Sequence, residues 1–169
     1  MKAKELRTLI ICGFPAIGKT TISNQRLDIL DLDSSKFNWI NIGGGLRIRN
    51  PEFPKNYIDA VEENLGKFKY ILISTHYVVR KELSDRGLKY MTAIPSLDCY
   101  WEYQERMKKR GDTEKMIYLV SYCWYDWIKE RMDDKNPHVL LELGETLETA
   151  INHIENSNSF EHIFVEKLK

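Results

Sequence analysis

The sequence predicts an α/β fold with three layers, in which helices cover both faces of a doubly wound parallel sheet of five strands. One observation behind this prediction is that five short apolar runs of strand length recur along the 169 residues. A second is that segments with helical spacing separate these runs, so strand and helix alternate throughout. No internal repeat or low-complexity tract breaks this pattern, which favours a single domain over residues 1–169.

The five apolar runs predict the strands of the sheet. The first, "TLIIC", is short and β-branched and ends at Gly13, which is typical of a buried parallel strand. The predicted strands are "TLIIC" (8–12), "DILDLDSS" (28–35), "FKYILIST" (68–75), "LKYMTAIP" (88–95) and "HVLLEL" (138–143). The tail at 160–169 fits neither strand nor helix clearly.

The predicted helices are recognised by apolar spacing and by the residues at their ends. The segment 55–66 has helical spacing and stops at Gly66, and Ser96 is expected to cap a helix that ends at Gly111. The predicted helices cover 19–27, 55–66, 77–87, 96–111, 112–134 and 145–156. In 112–134 one stripe is interpreted as core packing: Met116, Val120, Trp124, Trp127, Ile128 and Met132.

Residues 36–54 are predicted to form an irregular, mobile segment. They contain three consecutive glycines, Gly43 to Gly45, and two prolines. Such residues interrupt both helices and strands, so no regular element is expected here.

The composition is typical of a soluble globular protein and narrows the possible partners. Hydrophobic residues make up 43% of the chain, and 25 basic residues balance 25 acidic ones. Zero net charge gives no argument for nucleic-acid or membrane binding. The three cysteines form no C-x-x-C pair and the histidines lack metal-ligand spacing, which indicates a reducing, cytoplasmic location. The amino-terminal apolar run is too short for a signal peptide, and no apolar run is long enough to span a membrane.

The stretch "GFPAIGKT", from Gly13 to Thr20, fits the phosphate-binding pattern G-x-x-x-x-G-K-[ST] between a predicted strand and a predicted helix. The glycines allow a tight turn whose backbone N–H groups bind phosphate oxygens. Lys19 is expected to reach the β- and γ-phosphates and to act in catalysis, and the Thr20 hydroxyl to bind Mg²⁺. The residues predicted to contact ATP are Gly13, Ala16, Ile17, Gly18, Lys19, Thr20 and Thr21.

Two acidic residues, Asp31 and Asp33, follow the second predicted strand. If the strand continues that far, both carboxylates project from one face at the sheet edge where the glycine loop lies. Asp31 is predicted to help bind Mg²⁺, and Asp33 to contact or deprotonate an acceptor. The alternative for Asp33 is that it caps the segment that follows.

The third predicted strand ends in "ISTHY" and lacks the acidic Mg²⁺ residue that is usual there in phosphate-loop proteins. The protein ligands of Mg²⁺ are then expected to come from Thr20 and the Asp31/Asp33 pair. His76 could donate a hydrogen bond to a phosphate or to the acceptor, or it could serve as a capping or packing residue.

Arginines are the natural groups for neutralising charge during phosphoryl transfer. Arg106 and Arg110 lie four residues apart on one face of a predicted helix, where both could act on the transferred group. The alternative is a solvated basic face, since Lys108 and Lys109 lie between them.

Other residues are candidates for binding the acceptor. Arg80 could clamp an acceptor phosphate, and Arg47 and Arg49 alternate as in an extended strand that could meet the acceptor. Phe37 and Trp39 could stack on a base, although aromatic residues more often pack in cores.

The motifs "GFPAIGKT", "LDLDSSKF", "RNPEFPKNYI", "ISTHYVVR" and "YQERMKKRG" appear in this order within residues 8–142. In them the chain resembles the small adenylate-kinase-like P-loop kinases, most closely the short (deoxy)nucleoside monophosphate kinases of bacteriophages and bacteria. The resemblance implies ATP on the loop at 13–20 and an acceptor nucleotide bound by residues 33–80, with 36–66 as the acceptor-binding insertion. It is compatible with either a monomer or a homodimer.

The resemblance also implies a short lid at about 100–115 that carries Arg106 and Arg110. The chain departs from the family pattern at two points. The third strand lacks its acidic end, and residues 111–112 leave no room for a long lid insertion.

Three functions remain open at this stage. The first is transfer of the ATP γ-phosphate to a (deoxy)nucleoside monophosphate, whose charge suits the surplus of arginines. The second is phosphorylation of a hydroxyl, on a small metabolite or a polynucleotide 5′ end, with Asp33 as general base. Zero net charge argues against a long polymer. The third is a nucleotide-binding regulatory module without turnover, which the missing third-strand carboxylate supports.

Overall fold

The computed structural model describes residues 6–157, 161–162 and 164–165. Both ends of the predicted domain 1–169, and most of the unassigned tail 160–169, lie outside the described residues. The strands are β1 (Leu9–Gly13), β2 (Ile29–Asp31), β3 (Trp39–Gly43), β4 (Leu46–Arg49), β5 (Tyr70–Ser74), β6 (Met91–Pro95) and β7 (His138–Leu141). The helices are α1 (Lys19–Ser23), α2 (Ser35–Asn38), α3 (Lys55–Asn64), α4 (Tyr77–Asp85), α5 (Tyr100–Arg110), α6 (Glu114–Tyr122), α7 (Trp124–Met132) and α8 (Leu147–Glu155).

Five of the strands form one parallel sheet in the order β2-β5-β1-β6-β7. These are the five strands that the apolar runs predict, so the α/β fold with a parallel sheet flanked by helices is confirmed. Because consecutive parallel strands need crossovers, the helices lie on the faces of the sheet. None of the helices in the described part of the chain has the length and apolar character that a membrane crossing requires.

Side chains that alternate along the strands divide the core into two clusters. On one face, Ile10 and Cys12 of β1 pack with α3 and α4. On the other, Leu9 and Ile11 pack with α1 and with α5 to α8. Cys12 is fully buried, and burial raises the pKa of its thiol. The loops that follow the neighbouring strands β2, β5 and β1 therefore lie together at the carboxyl edge of the sheet.

The prediction of an irregular segment at 36–54 is wrong. Residues Trp39–Gly43 and Leu46–Arg49 form an antiparallel hairpin, β3 to β4, and α2 precedes it. The three glycines that suggested mobility close the hairpin instead, with φ angles of 94°, 58° and 75° at Gly43, Gly44 and Gly45. Such left-handed angles suit glycine in a tight turn.

The single helix predicted over 112–134 is two helices, α6 and α7. The break is at Cys123, where φ of −91° and ψ of 5° depart from helical values. Most of the predicted core stripe is buried or partly buried, but Met132 at its end is exposed. Helix α1 is also shorter than predicted, at five residues.

Candidate functional site

The loop between β1 and α1 has the shape expected of a backbone cradle. Ala16 and Gly18 adopt left-handed angles, with φ of 61° and 98°. A Cβ on Gly13 would lie 2.7 Å from Ile17 Cδ1, so only glycine fits there without rearrangement. The Phe14 amide donates to the Ala93 carbonyl at 3.0 Å, which ties the loop to β6. The loop is therefore a preformed structure, and its open side lies at the carboxyl edge of the sheet.

The residues that are predicted to contact ATP differ in whether their side chains are exposed. The side chain of Ile17 is buried in the core, so only its backbone is available to a ligand. Thr20 and Thr21 are exposed at the start of α1. The predicted contacts of all seven loop residues with ATP stay predictions.

Lys19 folds back over the loop. Its Nζ donates to the carbonyl oxygens of Gly13, at 2.9 Å, and Phe14, at 3.1 Å. Burial lowers the pKa of Lys19 to about 8; Asp31 opposes this, and the charge of Arg110 adds to the lowering. An anion in the loop would offset the desolvation of this ammonium group and raise its pKa again.

Thr20 and Asp31 meet in front of the loop, where the Thr20 hydroxyl donates to Asp31 Oδ2 at 2.7 Å. Two hard oxygen atoms at one point suit Mg²⁺. Within the described residues, Ser74 Oγ at the end of β5 is buried without a hydrogen-bond partner, and no cluster of three or more His, Cys, Asp or Glu could bind a metal. Thr20 and Asp31 supply two oxygen atoms, so an ion bound there would have to take its other ligands from phosphate and water.

Asp33 makes the local contacts of a capping residue. Its Oδ1 accepts from the Ser35 amide at 2.9 Å, and its Oδ2 accepts from the Ser35 hydroxyl at 2.8 Å. Both carboxylate oxygens are thus engaged at the start of α2. The geometry favours the capping alternative over the general base, although Asp33 is close enough to Lys19 to influence its pKa.

Arg80 is not placed to clamp an acceptor, which corrects the sequence-based prediction. Its side chain is only 4% exposed and forms ion pairs with Glu130 and Asp134. Its Nε donates to the Thr75 carbonyl at 3.1 Å. A guanidinium that is 4% exposed and lies between two carboxylates is not accessible to a ligand unless this cluster opens.

Arg131 lies on α7 beside this cluster and is not among the residues that the sequence predicts for the site. Its side chain is 5% exposed, and its Nη2 donates to the same Thr75 carbonyl at 3.0 Å. The guanidinium also lies 5.6 Å from the centre of the Phe14 ring. Burial lowers the pKa of Arg131 to about 10. No sequence signal pointed to it, because it lies in a helix whose apolar stripe indicated only core packing.

Arg106 and Arg110 contact different partners, although they lie four residues apart on α5. Arg106 forms an ion pair with Glu102 and donates to the Glu145 carbonyl at 2.7 Å, which joins α5 to the loop before α8. Arg110 is half exposed and binds Asp112. Of the two, Arg110 is the one whose charge lowers the pKa of Lys19.

The hairpin presents Trp39, Arg47 and Arg49 on one face. The guanidinium groups of Arg49 and Arg47 lie 4.2 Å and 4.9 Å from the Trp39 ring centre. His76 precedes α4, and its pKa is lowered by desolvation and by the charges of Arg131, Arg49 and Lys19. The charge of Arg49 on the hairpin and the charge of Lys19 in the loop therefore both reach His76.

Phe37, the other aromatic candidate for base stacking, packs against Tyr57, with ring centres 5.0 Å apart. The hydroxyl of Tyr57 donates to the Leu32 carbonyl at 2.5 Å and accepts from the Ser74 amide at 3.2 Å. These contacts join the ends of β2 and β5 and fix the floor of the site. Phe37 is thus part of the support beneath the hairpin.

Comparison of the sequence with models of known protein families and with curated proteins found no match.

Proposed function

We propose that the protein transfers the γ-phosphate of ATP to a (deoxy)nucleoside monophosphate and so forms a nucleoside diphosphate. The observations that carry the proposal are the position of Lys19, whose Nζ lies over the Gly13 and Phe14 carbonyls of the loop, and the hydrogen bond that joins Thr20 to Asp31 in front of the loop. The charge of Arg110 also reaches Lys19. Phosphoryl transfer needs this arrangement because catalysis consists mainly of positioning and of neutralising charge.

On this proposal the donor lies along the loop from Gly13 to Thr20. The backbone N–H groups of the loop bind phosphate oxygens, and Lys19 moves from the Gly13 and Phe14 carbonyls to the β- and γ-phosphates. Mg²⁺ bound with ATP supplies charge neutralisation and a fixed phosphate geometry. Thr20 and Asp31 would hold that ion, and their hydrogen bond would give way to a shared ligand.

The acceptor would lie between the hairpin and the end of β5. Arg47, Arg49 and His76 offer donors to its phosphate, and Trp39 offers an aromatic face to its base or sugar. Arg110 would neutralise charge on the group in transit. An acceptor that is already a phosphate is anionic at neutral pH and needs no strong general base. Asp33, whose two oxygens are bound by Ser35, is therefore not required as one.

The three free cysteines, Cys12, Cys99 and Cys123, support the cytoplasmic location that goes with this function. Nucleoside monophosphates and ATP are both available there. The proposed ligands are small molecules, in keeping with a chain of zero net charge.

The proposal is tested by following ADP release from ATP and Mg²⁺ with a panel of nucleoside monophosphates, deoxynucleoside monophosphates, nucleosides and 5′-hydroxyl oligonucleotides. At least one monophosphate should stimulate turnover. Lys19→Met should lower kcat by about 10²–10³-fold, because it removes a charge at the transferring group. Lys81→Met is the matched control, since Lys81 is an exposed lysine on α4 that pairs with Asp85. Its activity should equal that of the wild type.

Asp33→Asn separates this function from the hydroxyl kinase. The variant should keep most of its activity on the monophosphate, whereas a hydroxyl kinase would lose nearly all of it. Stimulation by nucleosides or 5′-hydroxyl ends alone would replace the proposed function with the second one. ATP binding without turnover on any acceptor would favour the regulatory module.

A further inference from the structure

Two buried arginines from different helices donate to the same backbone carbonyl at the end of β5. Arg80 Nε and Arg131 Nη2 lie 3.1 Å and 3.0 Å from the oxygen of Thr75. The two guanidinium groups differ in how their charge is compensated. Arg80 forms ion pairs with Glu130 and Asp134, whereas among the described residues the carboxylate paired with Arg131 is that of Glu130 alone, at 3.2 Å. Arg131 therefore shares its counter-charge with a second arginine.

The incomplete compensation of Arg131 is costly, because its side chain is only 5% exposed. Burial lowers the pKa of Arg131 to about 10; Glu130 opposes this, and the charge of Arg80 adds to the lowering. The Nε of Arg131 is buried and has no hydrogen-bond partner within the part of the chain that the structure describes. The guanidinium thus has a charge and a donor that the fold does not use.

The hydrogen bonds of Arg131 satisfy no acceptor that would otherwise lack a partner. The Thr75 carbonyl also accepts from Arg80, and Glu130 also pairs with Arg80. The Nη1 of Arg131 donates at 2.7 Å to the carbonyl of Trp127, which lies within α7 and is an acceptor of the helix backbone. Stability alone therefore gives little reason for an arginine at this position.

The guanidinium of Arg131 lies against the loop between β1 and α1. It is 5.6 Å from the centre of the Phe14 ring, and the carbonyl of the same loop residue accepts from Lys19 Nζ at 3.1 Å. After desolvation, the charges of Arg131, Arg49 and Lys19 are the causes that lower the pKa of His76. The charge of Arg131 is therefore felt at the edge of the sheet where the loop lies.

We propose that Arg131 is a fixed positive charge behind the glycine loop, and that it strengthens the binding of a polyphosphate in the loop rather than the fold. Arg131 acts through its charge, without touching the ligand, because its Nε is buried. A bound anion supplies the counter-charge that the fold leaves incomplete. The inference rests on the proposed function in so far as it places the phosphates of ATP in the loop.

The position of the guanidinium predicts the size of the effect. Because it lies 5.6 Å from the Phe14 ring, its charge is on the order of 10 Å from phosphates held by the loop backbone. At an effective dielectric constant of about 20, two unit charges at that separation change an affinity about tenfold. Removal of the charge should weaken polyphosphate binding by this factor.

The test is the binding of inorganic tripolyphosphate to the full chain, measured by calorimetry without Mg²⁺. Arg131→Met should raise the dissociation constant about tenfold, and Arg131→Lys, which keeps the charge, should stay within about threefold of the wild type. Lys129→Met is the matched control, since it removes one positive charge from an exposed position of the same helix, and its affinity should equal that of the wild type. Loss of binding in Lys19→Met shows that the anion occupies the loop.

Urea denaturation supplies the readout that separates this role from a structural one. The midpoint of Arg131→Met should equal or exceed that of the wild type, whereas the midpoint of Arg80→Ala should fall. An Arg131→Met protein that is destabilised or unfolded, or that binds tripolyphosphate as tightly as the wild type, would overturn the inference and leave the proposed function standing. The predicted loss of affinity in a protein that turns over no acceptor would contradict the proposed function alone. A wild-type protein that binds neither tripolyphosphate nor ATP would contradict both.

Discussion

Replacing Arg80 by alanine distinguishes a role for Arg80 in stabilising the interior from the role in acceptor binding that the sequence suggests. Arg80 forms ion pairs with Glu130 and Asp134 and donates to the Thr75 carbonyl. Arg80→Ala removes all three interactions from the interior. Breaking a buried ion pair by removing one partner typically costs about 3–5 kcal/mol of unfolding free energy, because a charge is left without compensation.

The groups around Glu130 and Asp134 place the loss of unfolding free energy in Arg80→Ala near the lower end of that range. Asp134 keeps hydrogen bonds from the Tyr90 hydroxyl and from the amide and side chain of Asn136, each at 2.9 Å. Glu130 is 42% exposed and stays in contact with Arg131. The expected loss is therefore about 3 kcal/mol, which lowers the unfolding temperature of a chain of this size by about 6–12 °C.

Urea denaturation and a thermal scan measure this loss, and Arg86→Ala is the matched control. Arg86 also faces three carboxylates, of Asp59, Glu62 and Glu82, but at 22% exposure it lies near the surface. Pairs that solvent reaches contribute little, so this variant should lose about 1 kcal/mol or less.

A stable Arg80→Ala protein with a raised KM for the acceptor would contradict a structural role for Arg80. That result would return Arg80 to the acceptor role that its position after β5 first suggested. The structure predicts the reverse, a loss of stability with an acceptor KM that is close to that of the wild type in the folded fraction.

Three further predictions concern pH and buried hydrogen bonds. Burial lowers the pKa of Lys19 to about 8, so Lys19 loses its positive charge between pH 7 and pH 9. The affinity for ATP, measured by calorimetry, should therefore fall about tenfold over this range, and an affinity that does not change with pH would contradict this. Tyr57→Phe should cost about 1–3 kcal/mol in urea denaturation, because the Leu32 carbonyl and the Ser74 amide both lose a partner; unchanged stability would show that neither bond matters. Hydrogen bonds from an arginine and a lysine lower the pKa of Glu155 from 4.5 to about 2, which stabilises the fold above pH 4.5 and is lost as the pH falls towards 2. Glu155→Gln should thus cost about 1–2 kcal/mol at pH 7 and nothing near pH 2, and an equal loss at both pH values would contradict the ion pair.

The parallel sheet could be predicted because its strands are buried on both faces and read as continuous apolar runs. The hairpin could not, because three glycines indicate either mobility or a turn and only the φ angles decide. The alternation of Arg47 and Arg49 did indicate an extended strand, and the partner strand beginning at Trp39 alternates in the same way. The alternation that is typical of a strand was present, but the three consecutive glycines indicated an irregular segment more strongly.

Contacts of the candidate site between residues that are close in the sequence could be predicted. Asp33 accepts hydrogen bonds from Ser35, two residues away, and this capping role was one of the alternatives that the sequence suggested. Arg80 finds its carboxylates 50 and 54 residues further along the chain, on an element that nothing in the sequence connects to it. Long-range ion pairs of this kind decide whether an arginine faces a ligand or the interior, and residue type and spacing alone do not reveal them.

In the proposed function, phosphate moves from ATP to an acceptor that is already a phosphate. The most direct measurement is to incubate the protein with γ-labelled ATP, Mg²⁺ and the monophosphate that best stimulates ADP release, and then to separate the labelled products. We expect label in the β-position of a nucleoside diphosphate, formed in equal amount to ADP. Label found as free phosphate, or on a hydroxyl group of the acceptor, would contradict it.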